Sequence, residues 1–178
     1  MKAPATCVIR VESGPHHEEA ADMSTIEESI EVQVPVATAY NQWTQFEDFP
    51  EFMDGVESVT QLDDTRLHWV AEIGGERREF DARITEQRPD ERIAWTTEGG
   101  PWHAGVVTFH RLSDDTCRVM LQMEFEPQDM KEKAADFLGM IHRQIKGDLE
   151  RFKQFVESRG RETGAWRGEV EPPGRRTA

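Results

Sequence analysis

Residues Ser29–Phe52 read SIEVQVPVATAYNQWTQFEDFPEF, and a change of period inside this stretch decides the fold. Ile30, Val32 and Val34 alternate with Glu31, Gln33 and Pro35, the two-residue period of a strand with one buried face. Pro35 has no amide hydrogen to give to a ladder, so the strand stops there. Val36, Ala39, Tyr40 and Trp43 then recur at three- and four-residue spacing, one face of a short helix. Phe46, Phe49 and Phe52 recur every three residues around Pro50, which predicts a second short helical or 3₁₀ segment.

Downstream the two-residue period returns. Val56 to Leu62 runs to the turn Asp63-Asp64, and Leu67, Trp69, Ala71 and Ile73 alternate up to Gly74-Gly75. Phe80, Ala82 and Ile84 follow, then Ile93 and Trp95 beyond the turn Arg88-Pro89-Asp90. Glu98-Gly99-Gly100-Pro101 breaks that strand, and Val107 and Phe109 belong to the next. After the Ser113-Asp114-Asp115 turn, Val119, Leu121, Met123 and Phe125 complete a meander of antiparallel strands, one face inward and one in water.

Past Pro127 the period becomes helical. Asp129 with Glu132 fits an N-cap and capping box. Ala134, Leu138, Ile141, Ile145, Leu149, Phe152 and Val156 form one stripe, widened by Phe137 and Phe155 and stopped at Gly160. A helix of about 30 residues reaches roughly 45 Å, long enough to cover a sheet of six or seven strands. The expected class is therefore α+β: a curved antiparallel six- or seven-stranded sheet wrapped around a long C-terminal helix, with two short helices after the first strand. The domain spans 27–160, between flexible tails at 1–26 and 161–178 that lack sustained periodicity.

Composition narrows the partners. The chain has 178 residues, enough for one domain with a core. It has no apolar run near the roughly 20 residues that span a bilayer, so stable membrane insertion is not expected. No secretory signal is evident at the start, and two cysteines make no disulfide framework, so a cytoplasmic location is expected. Cys7 falls in the tail, while Cys117 alternates with apolar residues as a small buried hydrophobe. With 21 basic and 35 acidic side chains the net charge is −14, which repels phosphate backbones and anionic membranes. Nucleic acid is thus not an expected partner; a neutral or apolar small molecule held inside is compatible with that field. Monomer and homodimer both stay open.

The order of elements resembles the helix-grip fold of the START/Bet v 1 (SRPBCC) superfamily, and more narrowly its polyketide cyclase/dehydrase and coenzyme Q-binding branch. The residues that carry the resemblance are SIEVQVPVATAYNQWTQFEDFPEFM (29–53), with Pro35 opening the first helix and Phe49-Pro50 in the second. Ile93-Ala94-Trp95, Gly105-Val106-Val107-Thr108-Phe109 and Thr116-Cys117-Arg118-Val119 extend it over about residues 27–158. Most of these are packing and turn positions. The resemblance implies an internal apolar cavity between sheet and long helix, in a group that includes aromatase/cyclases and quinone-binding proteins. One departure concerns activity. Some polyketide cyclases similar to this chain carry a tyrosine after the second short helix; the aligned residue here is Val56, and the only tyrosine is Tyr40.

No catalytic motif of the HExxH, GxSxG, P-loop or dinucleotide-binding kind is present, so catalytic residues are unassigned and no cofactor is expected. His68 and His110 fall opposite the inward register, and His142 lies at the edge of the helical stripe. His103 shares parity with Gly105, Val107 and Phe109 and points inward. Such scattered histidines predict no metal site. Glu72, Glu79, Asp81 and Glu124 belong to the polar sheet face, and Glu51 and Asp54 flank the expected cavity mouth. The wall itself is assigned to Trp69, Phe80, Trp95, His103, Phe109, Met123 and Phe125 of the sheet, faced by Phe137 and Ile141 of the helix. Singly, each is explained by core packing; together on a concave sheet they suit a flat or elongated apolar molecule. The expected function is binding of a lipophilic small molecule that is polyketide-, quinone- or lipid-like. The alternatives are an aromatase/cyclase or dehydratase that templates a reactive chain, and a partner-docking subunit without ligand.

Overall fold

The computed structural model describes residues 24–99, 103–126 and 134–174; the cap expected at Asp129 and Glu132 lies outside them. Among the described residues seven strands are present: β1 (Ser24–Val32), β2 (Val56–Gln61), β3 (Arg66–Ile73), β4 (Glu76–Arg88), β5 (Arg92–Glu98), β6 (His103–Arg111) and β7 (Cys117–Phe125). Helix α1 (Val36–Trp43) and a 3₁₀ turn (Phe46–Glu51) follow β1, and α2 (Ala134–Arg159) follows β7. The strands form one antiparallel sheet in the order β1-β7-β6-β5-β4-β3-β2. Thus α1 and the 3₁₀ turn carry the chain from one edge of the sheet to the other, and the meander returns until β7 pairs with β1. This is the helix-grip arrangement.

The period of three at Phe46, Phe49 and Phe52 takes its meaning here. A 3₁₀ helix turns once every three residues, so side chains at that spacing share a face. All three rings are buried. Phe49 meets Trp43 edge-on at 5.6 Å, and both Trp43 and Phe52 meet Phe152 of α2, at 5.0 and 5.2 Å. Each such side chain, once fully buried, contributes about 1.5–3 kcal/mol. On α2 the stripe is inward as its spacing requires, with Ile141, Ile145, Leu149, Phe152 and Val156 all buried. Glu157 accepts from the Gln33 amide at 2.8 Å and Lys153 donates to the Glu31 carbonyl at 2.8 Å, which holds the end of β1 to the helix.

Two features depart from a simple alternating reading. In β4 a bulge lies between Ile84 and Glu86, so Ile84 opposes Trp95 while Gln87 opposes Ile93. The extra residue turns Gln87 inward, where it is 1% exposed and donates to the Tyr40 hydroxyl at 3.1 Å. The second feature is the segment after α2, which reads as a flexible tail but lies against α1 over residues 161–174. Glu162 accepts from Asn41, Thr163 exchanges hydrogen bonds with Gln42, and the Trp166 amide donates to Thr44. Arg167 grips both carboxylate oxygens of Asp90, and Val170 pairs with Gln87 through both backbone groups. These contacts account for the buried polar side chains Asn41, Gln42 and Thr44 on a short helix. The other boundary also differs: β1 begins at Ser24 rather than at 27.

Candidate functional site

Between the concave face of the sheet and α2 lies a cavity of about 140 Å³, partly open to solvent on one side. An apolar cavity of about 150 Å³ is known to stay dry and to accept benzene, so the enclosed part has the size of one aromatic ring. Trp69, Phe80, Trp95, His103, Met123 and Phe125 reach the wall from the sheet, and Ile141 faces them from α2. Trp43, Phe46 and Phe49 close the end beneath α1, and Val56, the position aligned with the tyrosine of similar cyclases, adds an aliphatic patch.

The aromatic wall is continuous across the sheet. Trp69 and Phe80 stack at 6.1 Å and 7° between planes. His103 meets Phe80 edge-on at 5.0 Å and lies over Phe125 at 6.0 Å. Its backbone is pinned, the amide donating to the Thr97 hydroxyl at 3.1 Å and the carbonyl accepting from it at 3.2 Å. Trp95 lies flat because Gly105 opposes it: a methyl group at 105 would stand 2.3 Å from the indole.

Phe109 and Phe137 are placed otherwise than as cavity wall. Phe109 packs edge-on against Tyr40 at 5.4 Å and Trp43 at 6.2 Å, so its ring is sealed behind α1. Phe137 meets Phe125 edge-on at 6.4 Å, next to Gly74, and extends the aromatic row beyond the cavity. The outer histidines are engaged elsewhere: His68 with Asp81 at 2.7 Å, His110 with Thr108 at 2.9 Å, and His142 with Glu28. Tyr40, on the inner face of α1, is fully buried away from the wall. Cys117 is also buried, which pushes its thiol up to about 11.

The sequence reading missed the polar part of the wall, which comes mainly from α2. Gln144 and Asp148 line the cavity, with Glu72 at the open side. The Asp148 side chain is 14% exposed; it accepts from the Asp54 amide at 2.9 Å and pairs with Arg151. Arg151 in turn donates to the Phe52 carbonyl at 2.9 Å, so the acid is locked between α2 and the loop before β2. Burial outweighs both partners and pushes the Asp148 carboxyl up to about 6. A signal for it existed: Asp148 stands seven residues after Ile141 and three after Ile145, on the apolar stripe itself. Among the described residues no three His, Cys, Asp or Glu side chains gather as metal ligands, and no helix is long and apolar enough to cross a membrane.

A curved sheet closed by a C-terminal helix over an apolar cavity defines a START-like helix-grip protein. Solved structures agree on that fold. The Zhui aromatase/cyclase of a Streptomyces species superposes with a TM-score of 0.68 at 16% identity, over 81% of this chain and 99% of its own. A START superfamily protein from Mycobacterium smegmatis gives 0.60 at 14% identity, over 76% and 95%. Within the class, the model of the polyketide cyclase / dehydrase and lipid transport family matches residues 32–154, and the chain belongs to that family. An uncharacterized 17.2 kDa protein of Streptomyces lincolnensis, from the melC2-rnhH intergenic region, is 65% identical over 149 residues, 83% of this chain and 99% of its own.

Proposed function

We propose that this protein binds a lipophilic small molecule, polyketide-, quinone- or lipid-like, between the sheet and α2. The observation that carries the reading is the aromatic-walled cavity of about 140 Å³ beside a core of buried side chains. Protein interiors close to crystal-like density, and a ring-sized void flanked by Trp69, Trp95 and Phe125 leaves their faces without partner atoms that a ligand would supply. Apolar area removed from water contributes roughly 25 cal/mol per Å². A ligand larger than one ring extends through the open side. Native mass spectrometry of protein purified from its own host is the test, with a co-purifying lipophile expected. Protein that arrives empty and gives no calorimetric signal with small aromatic compounds would sink the proposal.

One observation favours a second reading, an aromatase/cyclase or dehydratase. Asp148 places a carboxyl that burial pushes up to about 6 in the wall of a mostly apolar space. A group with that value holds or releases a proton near neutral pH, which is what general acid–base catalysis on a carbonyl chain needs. Templating in the cavity supplies the rest. On this reading Asp148→Asn retains ligand affinity and abolishes turnover of a poly-β-ketone substrate; unchanged turnover in the variant removes the acid–base role.

A further inference from the structure

Glu72 and Gln144 line two spaces at once: the cavity, and a groove of about 370 Å³ bounded by α2 and by the chain at Asp54, Gly55 and Gly75. Gly55, Arg143, Gly147 and Arg151 also line that groove. Gly55 has φ of +90°, and a methyl group there would stand 2.6 Å from the Gln144 amide nitrogen. The Gln144 amide thus packs against the bare backbone at 55 and, with Glu72, marks the boundary between cavity and groove. The charges around it do not cancel. Arg151 is engaged by Asp148 and the Phe52 carbonyl. Among the described residues the unpaired side chains are then the carboxylates of Asp54 and Glu72 and the single guanidinium of Arg143.

We propose that the mouth of the cavity beside Glu72 and Gln144 selects neutral, hydroxyl-bearing ring compounds over anionic ones of the same size. The inference rests on the cavity being a binding site. The cavity takes one ring, and a polar substituent on a ring seated against the aromatic wall reaches the mouth beside Glu72 and Gln144. There the two carboxylates repel an anionic substituent, and the Gln144 amide offers both a donor and an acceptor to a neutral hydroxyl. The net charge of −14 adds to the repulsion at long range.

The experiment is a calorimetric titration at low salt with para-butylphenol and para-butylbenzoate, matched in size and differing in charge. An ionised carboxylate prefers water in any case, so the readout is the change between variants. Glu72→Gln with Asp54→Asn should tighten benzoate binding about tenfold and leave the phenol within about twofold, because only the charged probe feels the lost repulsion. Arg143→Ala should weaken benzoate alone. Both acids are exposed, and the phenol affinity reports that the double variant keeps its cavity. Benzoate affinity that does not move in the double variant overturns the selectivity while leaving the cavity as a binding site. Failure of both compounds to bind the wild type overturns the cavity reading, and this inference with it.

Discussion

Asp148 is where burial and pairing oppose each other most directly. Desolvation raises its carboxyl from 3.8 to about 6, although Arg151 and the Asp54 amide both favour the charged form. The folded state thus binds the proton more tightly than the unfolded chain. Stability linked to this group is fully present below about pH 4 and is lost as pH rises through about 6. A shift of that size corresponds to up to about 3 kcal/mol. Asp148→Asn removes the titration, so the variant should gain on the wild type between about pH 4 and about pH 7. Urea unfolding across that range measures the gap. A gap that stays constant would mean that the carboxyl is solvated in the folded protein.

At the level of elements, α2 is both the lid of the core and one wall of the cavity. Ile141 is 5% exposed and borders the cavity, whereas Asp136 is exposed near the start of the helix. Ile141→Asp sets an unpaired carboxylate against the aromatic sheet face and should cost about 3–5 kcal/mol, with loss of ligand binding. Asp136→Ala should change stability by under about 0.5 kcal/mol. Similar melting temperatures for the two variants would require a different register of α2. The segment 161–174 makes an opposite claim about α1, whose inner face bears Trp43 and whose outer face bears Asn41, Gln42 and Thr44. Ending the chain at Gly160 leaves those groups to water and removes the Val170–Gln87 bridge. With net hydrogen bonds of about 1 kcal/mol each, a loss of about 3 kcal/mol is expected in denaturant titration. A truncated chain as stable as the full one would show that the segment is merely laid on the surface.

For the molecule as a whole, the excess of acidic groups is an opposing force spread over the surface. Exposed pairs such as Arg77–Glu57 and Arg118–Glu31 contribute little singly, and the net charge of −14 is left after all of them are counted. Raising ionic strength from about 0.01 M to about 0.15 M shortens the Debye length from about 30 Å to about 8 Å and screens the repulsion more than the short-range pairs. The melting temperature should therefore rise by a few degrees with added sodium chloride. A fall would mean that the surface pairs outweigh the repulsion.

Periodicity in the sequence determined the elements and their order. Alternation at Leu67, Trp69, Ala71 and Ile73 makes a half-buried strand, the three-residue spacing of phenylalanines makes a 3₁₀ turn, and the stripe through Ile141 and Phe152 makes a covering helix. Their succession already places an apolar interior between sheet and helix. What it cannot specify is which inward side chain meets another side chain and which meets open space. Phe109 and Trp95 share inward parity, yet α1 seals one while the opposing glycine at 105 leaves the other on the cavity. The bulge in β4 that turns Gln87 inward, and the docking of residues 161–174 on α1, depend on partners distant in the chain. Asp148 on the stripe was visible as a residue, but its proton affinity was not. Period is a property of neighbours along the chain, whereas voids, sealed rings and desolvated charges arise only when separate elements close on one another.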